Sequence, residues 1–385
     1  MSTANRAILA VENSTNLKPI HDMNSSSHSS NNRNTNSAPC VSLVRHEFKL
    51  GLDVDLNNIV TAIQSDHGAI KPAQVFTAAK LLAWVTEQIA AGHTVHTVYE
   101  SCGFGYTLHY QLQAAGAHSL VTTPMRLHQE RRRKNDRLDA RQLCVRLSRY
   151  LDGNKEELHP IRIPSLAEQQ RRELGRQRKF YRNELFRLEN HGRALRMEYE
   201  HLTLRSGWAG PRNWKRIAPT LSQFVRSQLE PVVELIGQCK AQMDALTKQI
   251  EATVAQDKIP KGLGALTLGL LDGEICDWRR FKNRKATGSY TGCCPSEHSS
   301  GGVQRLGCID RHGNTHVRTL LVEAVWRLIK YQPMWRAYRK MLPRLAAGKS
   351  IRKKTAVALA RHLSVDLWRW RTGRATLAEL GLIVQ

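Results

Sequence analysis

The chain has 385 residues, with 58 Lys plus Arg against 33 Asp plus Glu and a formal net charge of +25. That length has room for two or three domains with cores of their own, and so large a cationic excess calls for a polyanionic partner, nucleic acid before an anionic membrane surface. With no apolar run long enough to span a bilayer and no charged-then-apolar start, the protein is expected to be soluble, cytoplasmic and nucleoid-associated.

Residues 1–46 read as a disordered leader, since eleven of the fourteen residues from Asn24 to Ser37 are Asn or Ser. Strict alternation from Phe48 to Asp55 predicts a strand with its apolar residues on one face and Asp53 and Asp55 on the other. Strands are also expected at 57–64, 70–76, 94–100 and 119–123, with Pro72 placing the third at an edge or bulge. Helices are expected at 77–91 and through Leu108, Leu112 and Ala115. Three antiparallel strands followed by alternating helices and strands is the element order of an RNase H-like (RuvC-like) mixed sheet, assigned to residues 47–150. Gly103-Phe104-Gly105 lacks the third glycine of a dinucleotide fingerprint.

Carboxylates converge on this sheet. Asp53 lies in the first strand, with Asp55 competing for the same role, and Glu100 closes the fourth strand. Asp136 and Asp139, three residues apart and so on one helix face, open the helix after the fifth. Oxygen ligands so placed suit Mg2+ or Mn2+ and metal-assisted phosphodiester chemistry. The bland alternatives are a solvated helix laced with ion pairs and, for Glu100, an anion at a helix N-terminus. Nine basic residues between 125 and 149 face three acidic ones; Arg131, Arg132, Arg133, Lys134, Arg137 and Arg141 are candidates for binding the phosphate backbone.

Residues 165–256 read as helical. Ser165 to Glu168 is a capping box, and Gly192 stands where an apolar residue is due. Val225, Leu229, Val232, Ile236, Cys239, Met243, Leu246, Ile250 and Val254 keep a coiled-coil spacing. Pro231 suits a first helical turn, which would leave Val225 and Leu229 in a preceding segment. An intramolecular hairpin and an intermolecular zipper fit the seam equally well. Residues 257–385 form a third, helical region. Its opening loop, Ile259 to Gly264, exposes helix-end amides to phosphate or simply packs. The loop from Gly292 to Gly302 carries Ser299 and Ser300 and precedes Arg305, Arg311 and Arg318, further candidates for nucleic-acid binding. Helices at 315–331 and 351–370 follow. None of the eight cysteines forms a zinc-type pair, so buried free thiols are expected.

Six motifs in order, LGLDVD (50–55), YESCGFG (99–105), RRKNDRLDARQLC (132–144), IPKGLGALT (259–267), GCCPSEHSSGG (292–302) and IDRHGNTHVRTLL (309–321), resemble the DEDD transposases of the IS-one-ten insertion-sequence family, the IS-eleven-eleven branch in particular. The resemblance covers residues 47 to about 370. It implies a RuvC-like domain, a coiled-coil insert and a helical transposase domain. It implies an acidic tetrad of Asp53, Glu100, Asp136 and Asp139 holding Mg2+, and Ser300, with Ser299 beside it, as nucleophile. The reaction implied is DNA cleavage and strand transfer through a phosphoserine link. Implied partners are element and target DNA, a non-coding guide RNA, and further copies of the chain in a dimer or tetramer. The leader and Asn135, where many members carry Thr, depart from the pattern. Rival functions are a hydrolytic RuvC-like nuclease for branched DNA and a non-catalytic basic nucleic-acid-binding protein.

Overall fold

The computed structural model describes residues 45–124, 135–297, 302 and 305–384, less the side chains of Leu306 and Lys349. The leader to residue 44, Arg131, Arg132, Arg133, Lys134, Ser299 and Ser300 lie outside the described residues.

The N-terminal unit is a mixed sheet of β1 (Glu47–Val54), β2 (Ile59–Ser65), β3 (Gln74–Phe76), β4 (Thr94–Glu100) and β5 (His118–Thr122), in the order β3-β2-β1-β4-β5. The first three strands are antiparallel, while β4 runs parallel to β1 and β5 parallel to β4. The third strand is shorter than its sequence suggests. Pro72 has no N–H for the ladder, and pairing begins at Gln74. Alternation decides the layers. Leu50, Leu52, Val95 and Tyr99 face α1 (Ala78–Ala90) and α2 (Thr107–Ala114), burying Leu81, Val85 and Leu112. The opposite face, with Ala62 and Val98, is covered by α3 (Asp136–Leu151) through Ala140, Leu143, Cys144 and Leu147. Each fully buried aliphatic side chain contributes about 1.5–3 kcal/mol.

Next comes a helical hairpin of α4 (Leu166–Glu200) and α6 (Gln223–Ala252), with the short α5 (Pro211–Ile217) in the connection. The predicted capping box at Ser165 and Glu168 is present. The two long helices are antiparallel: Ser222 donates its backbone N–H to Glu200 near the turn (2.7 Å), and Arg178 Nε donates to Thr247 Oγ1 towards the other end (2.7 Å). Val225, Leu229, Ile236, Leu246 and Ile250 of the predicted seam are buried within the chain. Pro231 does not start the helix; it sits inside it. A proline there frees the carbonyl four residues back, but Ser227 and Pro231 are exposed, so water reaches it, while Val225 and Leu229 are fully buried and hold the first turns in line. Gly192 fills no gap in the seam. It makes one: a Cβ there would lie 2.1 Å from the ring of Trp208, which occupies the notch and is 1% exposed.

The C-terminal unit holds the largest core, built by α7 (Ala265–Ile275), α8 (Arg284–Tyr290), α9 (Thr315–Tyr331), α10 (Arg336–Ala346) and α11 (Lys349–Arg371), with a two-stranded antiparallel ribbon of β6 (Pro295–Glu297) and β7 (Leu306–Ile309). The loop opening α7 is used for packing. Lys261 N–H donates to the Ile383 carbonyl, Gly262 lies against Tyr331, and Arg327 donates to Leu263 and Thr267. Among the described residues no helix is long and apolar enough to cross a membrane, and the cysteines are free. Cys144 and Cys293 are buried as expected, whereas Cys102 and Cys308 are exposed, against expectation, on a loop and an outer strand.

Candidate functional site

Asp53 is the penultimate residue of β1, and its parity decides where it points. Lys49, Gly51 and Asp53 share the face covered by α3, while Leu50 and Leu52 enter the other core. The helix lies unusually close. A Cβ on Gly51 would fall 2.2 Å from the Ala140 carbonyl oxygen and 2.3 Å from the Cys144 nitrogen, so only glycine lets α3 rest directly on the strand. The Cys144 thiol, pointing to the Lys49 carbonyl at 3.2 Å, is pushed up to about 11 by burial. Beyond it, the fully buried Lys49 ammonium reaches Ser148 Oγ (3.4 Å), Glu47 (3.5 Å) and Asp152 (4.0 Å), the last being the residue that caps α3. The helix is thus seated on β1 at its middle and tied at its C-terminal end.

Its other end brings the carboxylates in. Asn135 caps α3, its side-chain oxygen accepting from the Arg137 N–H at 3.1 Å. Asn is among the strongest helix N-caps, at least the equal of Thr. Asp136 and Asp139 occupy the first turn, where the helix dipole favours an anion by about 0.3–1 kcal/mol. One carboxylate oxygen from each of Asp53, Asp136 and Asp139 lies within 4.8 Å of the others. Ionised carboxylates that close repel by roughly 4 kcal/mol per pair at a partly solvated site, a cost that a bound divalent cation offsets. An all-oxygen donor set, half-buried at two of its three members, fits a hard cation such as Mg2+ or Mn2+.

Glu100 ends β4 in the register that sets Tyr99 opposite Leu52, on the same face as Val98. It adjoins Asp53 but stands outside the trio at that spacing. Asp55 has left the strand: it is exposed in the turn, where its N–H donates to Asn58, and Asp53 alone of the two joins the trio. Arg137 and Arg141 are exposed on α3 beside the acids.

In sequence the serine segment falls between β6 and β7, which pair as a ribbon. Its base is fastened by features that the sequence did not advertise. Glu274, only 6% exposed on α7, accepts from Arg176 Nε (3.2 Å) and Asn314 Nδ2 (3.1 Å); Asn314 Nδ2 also reaches Tyr290 Oη (3.1 Å), and its side-chain oxygen caps α9. Gly313 packs so tightly that a Cβ would meet the Gly292 nitrogen at 2.1 Å. Two charges in the otherwise apolar segment from Leu266 to Ile275 were the available signal, since a buried charge needs partners. Arg305 and Arg311 are exposed, whereas Arg318 is half-buried and donates to the Thr291 and Arg311 carbonyls, bracing the turn.

Residues 259–340 match the family described as Transposase IS116/IS110/IS902. The chain is similar to the putative transposase y4rJ of Sinorhizobium fredii, 30% identical over 303 residues that cover 69% of this chain and 74% of that protein. It is similar also to the transposase for insertion sequence element IS1328 of Yersinia enterocolitica, 22% identical over 71% of this chain and 81% of the relative. A shorter match, 25% identical over 37% and 39% of the two chains, links it to the transposase for insertion sequence element IS1111A of Coxiella burnetii.

Proposed function

The chain belongs to the IS116/IS110/IS902 family of transposases, enzymes that catalyse DNA transposition, and from that premise we propose that it cleaves and rejoins DNA through a phosphoserine intermediate, using a metal centre on an RNase H-like (RuvC-like) sheet. The observation that carries the proposal is the convergence of Asp53, Asp136 and Asp139. The strand order β3-β2-β1-β4-β5, with Glu100 beside Asp53, supports the fold assignment and a fourth acidic position. Asp53, Asp136 and Asp139, with Glu100 adjoining, would hold Mg2+ or Mn2+. When bound there, such a cation supplies neutralisation of charge at a DNA phosphate and polarisation of its oxygens.

Ser300 Oγ forms the new P–O bond as a bridging deoxyribose oxygen leaves and takes up a proton. A deoxyribose hydroxyl of another strand then attacks the same phosphorus, and the serine departs with its proton restored. Phosphodiester energy is conserved, so no external energy source is needed. Arg137, Arg141, Arg305 and Arg311 bind the backbone, as do Arg131, Arg132, Arg133 and Lys134; Arg318 acts at one remove by holding the turn. A guide RNA that reads sequence by base pairing would leave the protein to read backbone and shape, in keeping with the +25 charge. Exposed Phe180, Phe186 and Leu235 on the hairpin suit assembly with further copies of the chain.

The test mixes wild-type and Ser300→Ala protein with end-labelled element-junction DNA, Mg2+ and the element's flanking transcripts, then resolves the products on a denaturing gel. A protein–DNA adduct with wild type and none with Ser300→Ala is the expected result. Metal-dependent cuts of equal yield in both proteins, without adduct, would make the chain a hydrolytic nuclease.

A further inference from the structure

Two cavities share a wall made by Arg361 and His362 of α11, and one of them borders the β6–β7 ribbon. The larger, about 900 Å³, lies between the ribbon and the α10–α11 pair. Arg344, Lys353, Lys354 and Arg361 line it, and none of the described residues lining it is acidic. The smaller, about 490 Å³, reaches towards α8 and adds Arg284, Lys285 and Arg369. Its one carboxylate, Asp366, is already engaged, accepting from Trp335 Nε1 at 2.9 Å and lying 3.7 Å from Arg369. The crowding of cations is felt by His362, whose imidazole is held below its ordinary value by burial first and then by Arg361, Lys340 and Arg369.

Charge alone would describe a surface for duplex backbone. The larger cavity has a second property that duplex backbone does not use. Pro295 and Ile309 of the ribbon and Met341 and Val357 of the helices give it apolar lining beside the cations. A concave site of about 300–1,000 Å³ with an apolar wall and a few convergent polar groups suits a ligand of nucleotide size. Apolar contact to a base face combined with cations on the phosphates is how unpaired strands are held. A paired, stacked base offers neither its face nor so deep an entry.

We propose that the cleft between the β6–β7 ribbon and the α10–α11 pair seats one unstacked nucleotide of a single-stranded DNA segment. Its base lies against Met341, Val357 and Pro295, and its phosphates lie on Arg344, Lys353, Lys354 and Arg361. The smaller cavity, through Arg284 and Lys285, takes the next phosphate. That the strand is the one being cut rests on the proposed role of Ser300, which lies between β6 and β7 in sequence. Unstacking a base costs free energy, and the seat would offset that cost.

The experiment uses full-length Ser300→Ala protein, with and without Lys353→Ala/Lys354→Ala. Both lysines are exposed, so the fold should survive their removal; Arg344→Ala, also at an exposed position, is the second variant. Fluorescence anisotropy compares a short deoxythymidine oligomer, a duplex of equal length and the matching uridine oligomer. The lysine variant should weaken single-stranded DNA binding about tenfold or more while duplex affinity falls less than about threefold. 2-Aminopurine, dark when stacked, should brighten at one position near the element junction and stay dark with the variant. Equal losses for single strand and duplex would overturn the proposal by making the cleft plain backbone surface. Tighter binding of the uridine oligomer, or no bright position, would overturn it as well. Adduct formation by wild type judges the serine chemistry separately: an adduct without strand discrimination sinks the seat alone, and discrimination without an adduct sinks only the serine role.

Discussion

At the acidic trio every carboxylate rides on a regular element, Asp53 on β1 and Asp136 and Asp139 on the first turn of α3. The ribbon that brackets the serine segment in sequence is instead short, and its base is tied by side-chain bonds through Glu274, Asn314 and Tyr290. The first arrangement is set by how closely two backbones approach, the second by whether a buried charge keeps its partners. They carry opposite charge as well, since the trio gathers acids and the ribbon is flanked by cations. The difference teaches that each should fail in its own way: the trio through steric expansion, the ribbon through an orphaned partner.

The strongest way to break the comparison is Asp139→Asn. If the trio holds metal, strand cleavage should fall on the order of a thousandfold or more while DNA affinity in a gel-shift assay stays nearly intact. Equal loss of binding and cleavage would make Asp139 structural. Glu274→Ala should cost about 1–2 kcal/mol in urea unfolding, because it leaves the half-buried Asn314 amide short of an acceptor, while Arg176, 44% exposed, turns to water. It should also lower adduct yield without changing Mn2+ affinity measured by calorimetry. Gly51→Ala should do the converse, costing about 1–3 kcal/mol by overpacking and weakening Mn2+ binding; an unchanged melting midpoint would mean that α3 is not seated on β1. The mildest probe is thiol labelling at pH 8. With its thiol pushed up to about 11, Cys144 should be roughly a thousandth thiolate and resist iodoacetamide, whereas exposed Cys102 and Cys308 react. Raising the pH through 11 should bring Cys144 into reaction only where α3 also opens.

Much of the N-terminal unit was legible because alternation is a period-2 signal that burial on one face enforces. It gave β1 and β4 nearly to the residue but not the choice between Asp53 and Asp55, which share a parity and are separated only by the end of β1 at Val54. The pairing of Asp136 with Asp139 followed from helical spacing. Less legible were features that depend on what lies opposite. Gly192 read as a flaw in a seam because Trp208, sixteen positions later, is what fills it. Pro231 read as a helix start because local preference ignores the burial of Val225 and Leu229 on the preceding turns. Glu274 stood out only as a charge in an apolar segment, and the partners it needs, Arg176 and Asn314, lie far off in the sequence and come to light only in the fold.

The notch at Gly192 has a kinetic meaning. Trp208 sits in the connection between the long helices and donates its indole N–H to the Glu189 carbonyl at 3.2 Å, so its docking closes a loop of a few turns rather than one spanning the whole hairpin. Short loops close at the least entropic cost. Pairing of α4 with α6 is therefore expected to begin at the turn end, and Trp208→Ala should then slow refolding more than it speeds unfolding in stopped-flow measurements. A side chain at position 192 would shut out the tryptophan and leave the two long helices free to sample wrong registers before finding the right one.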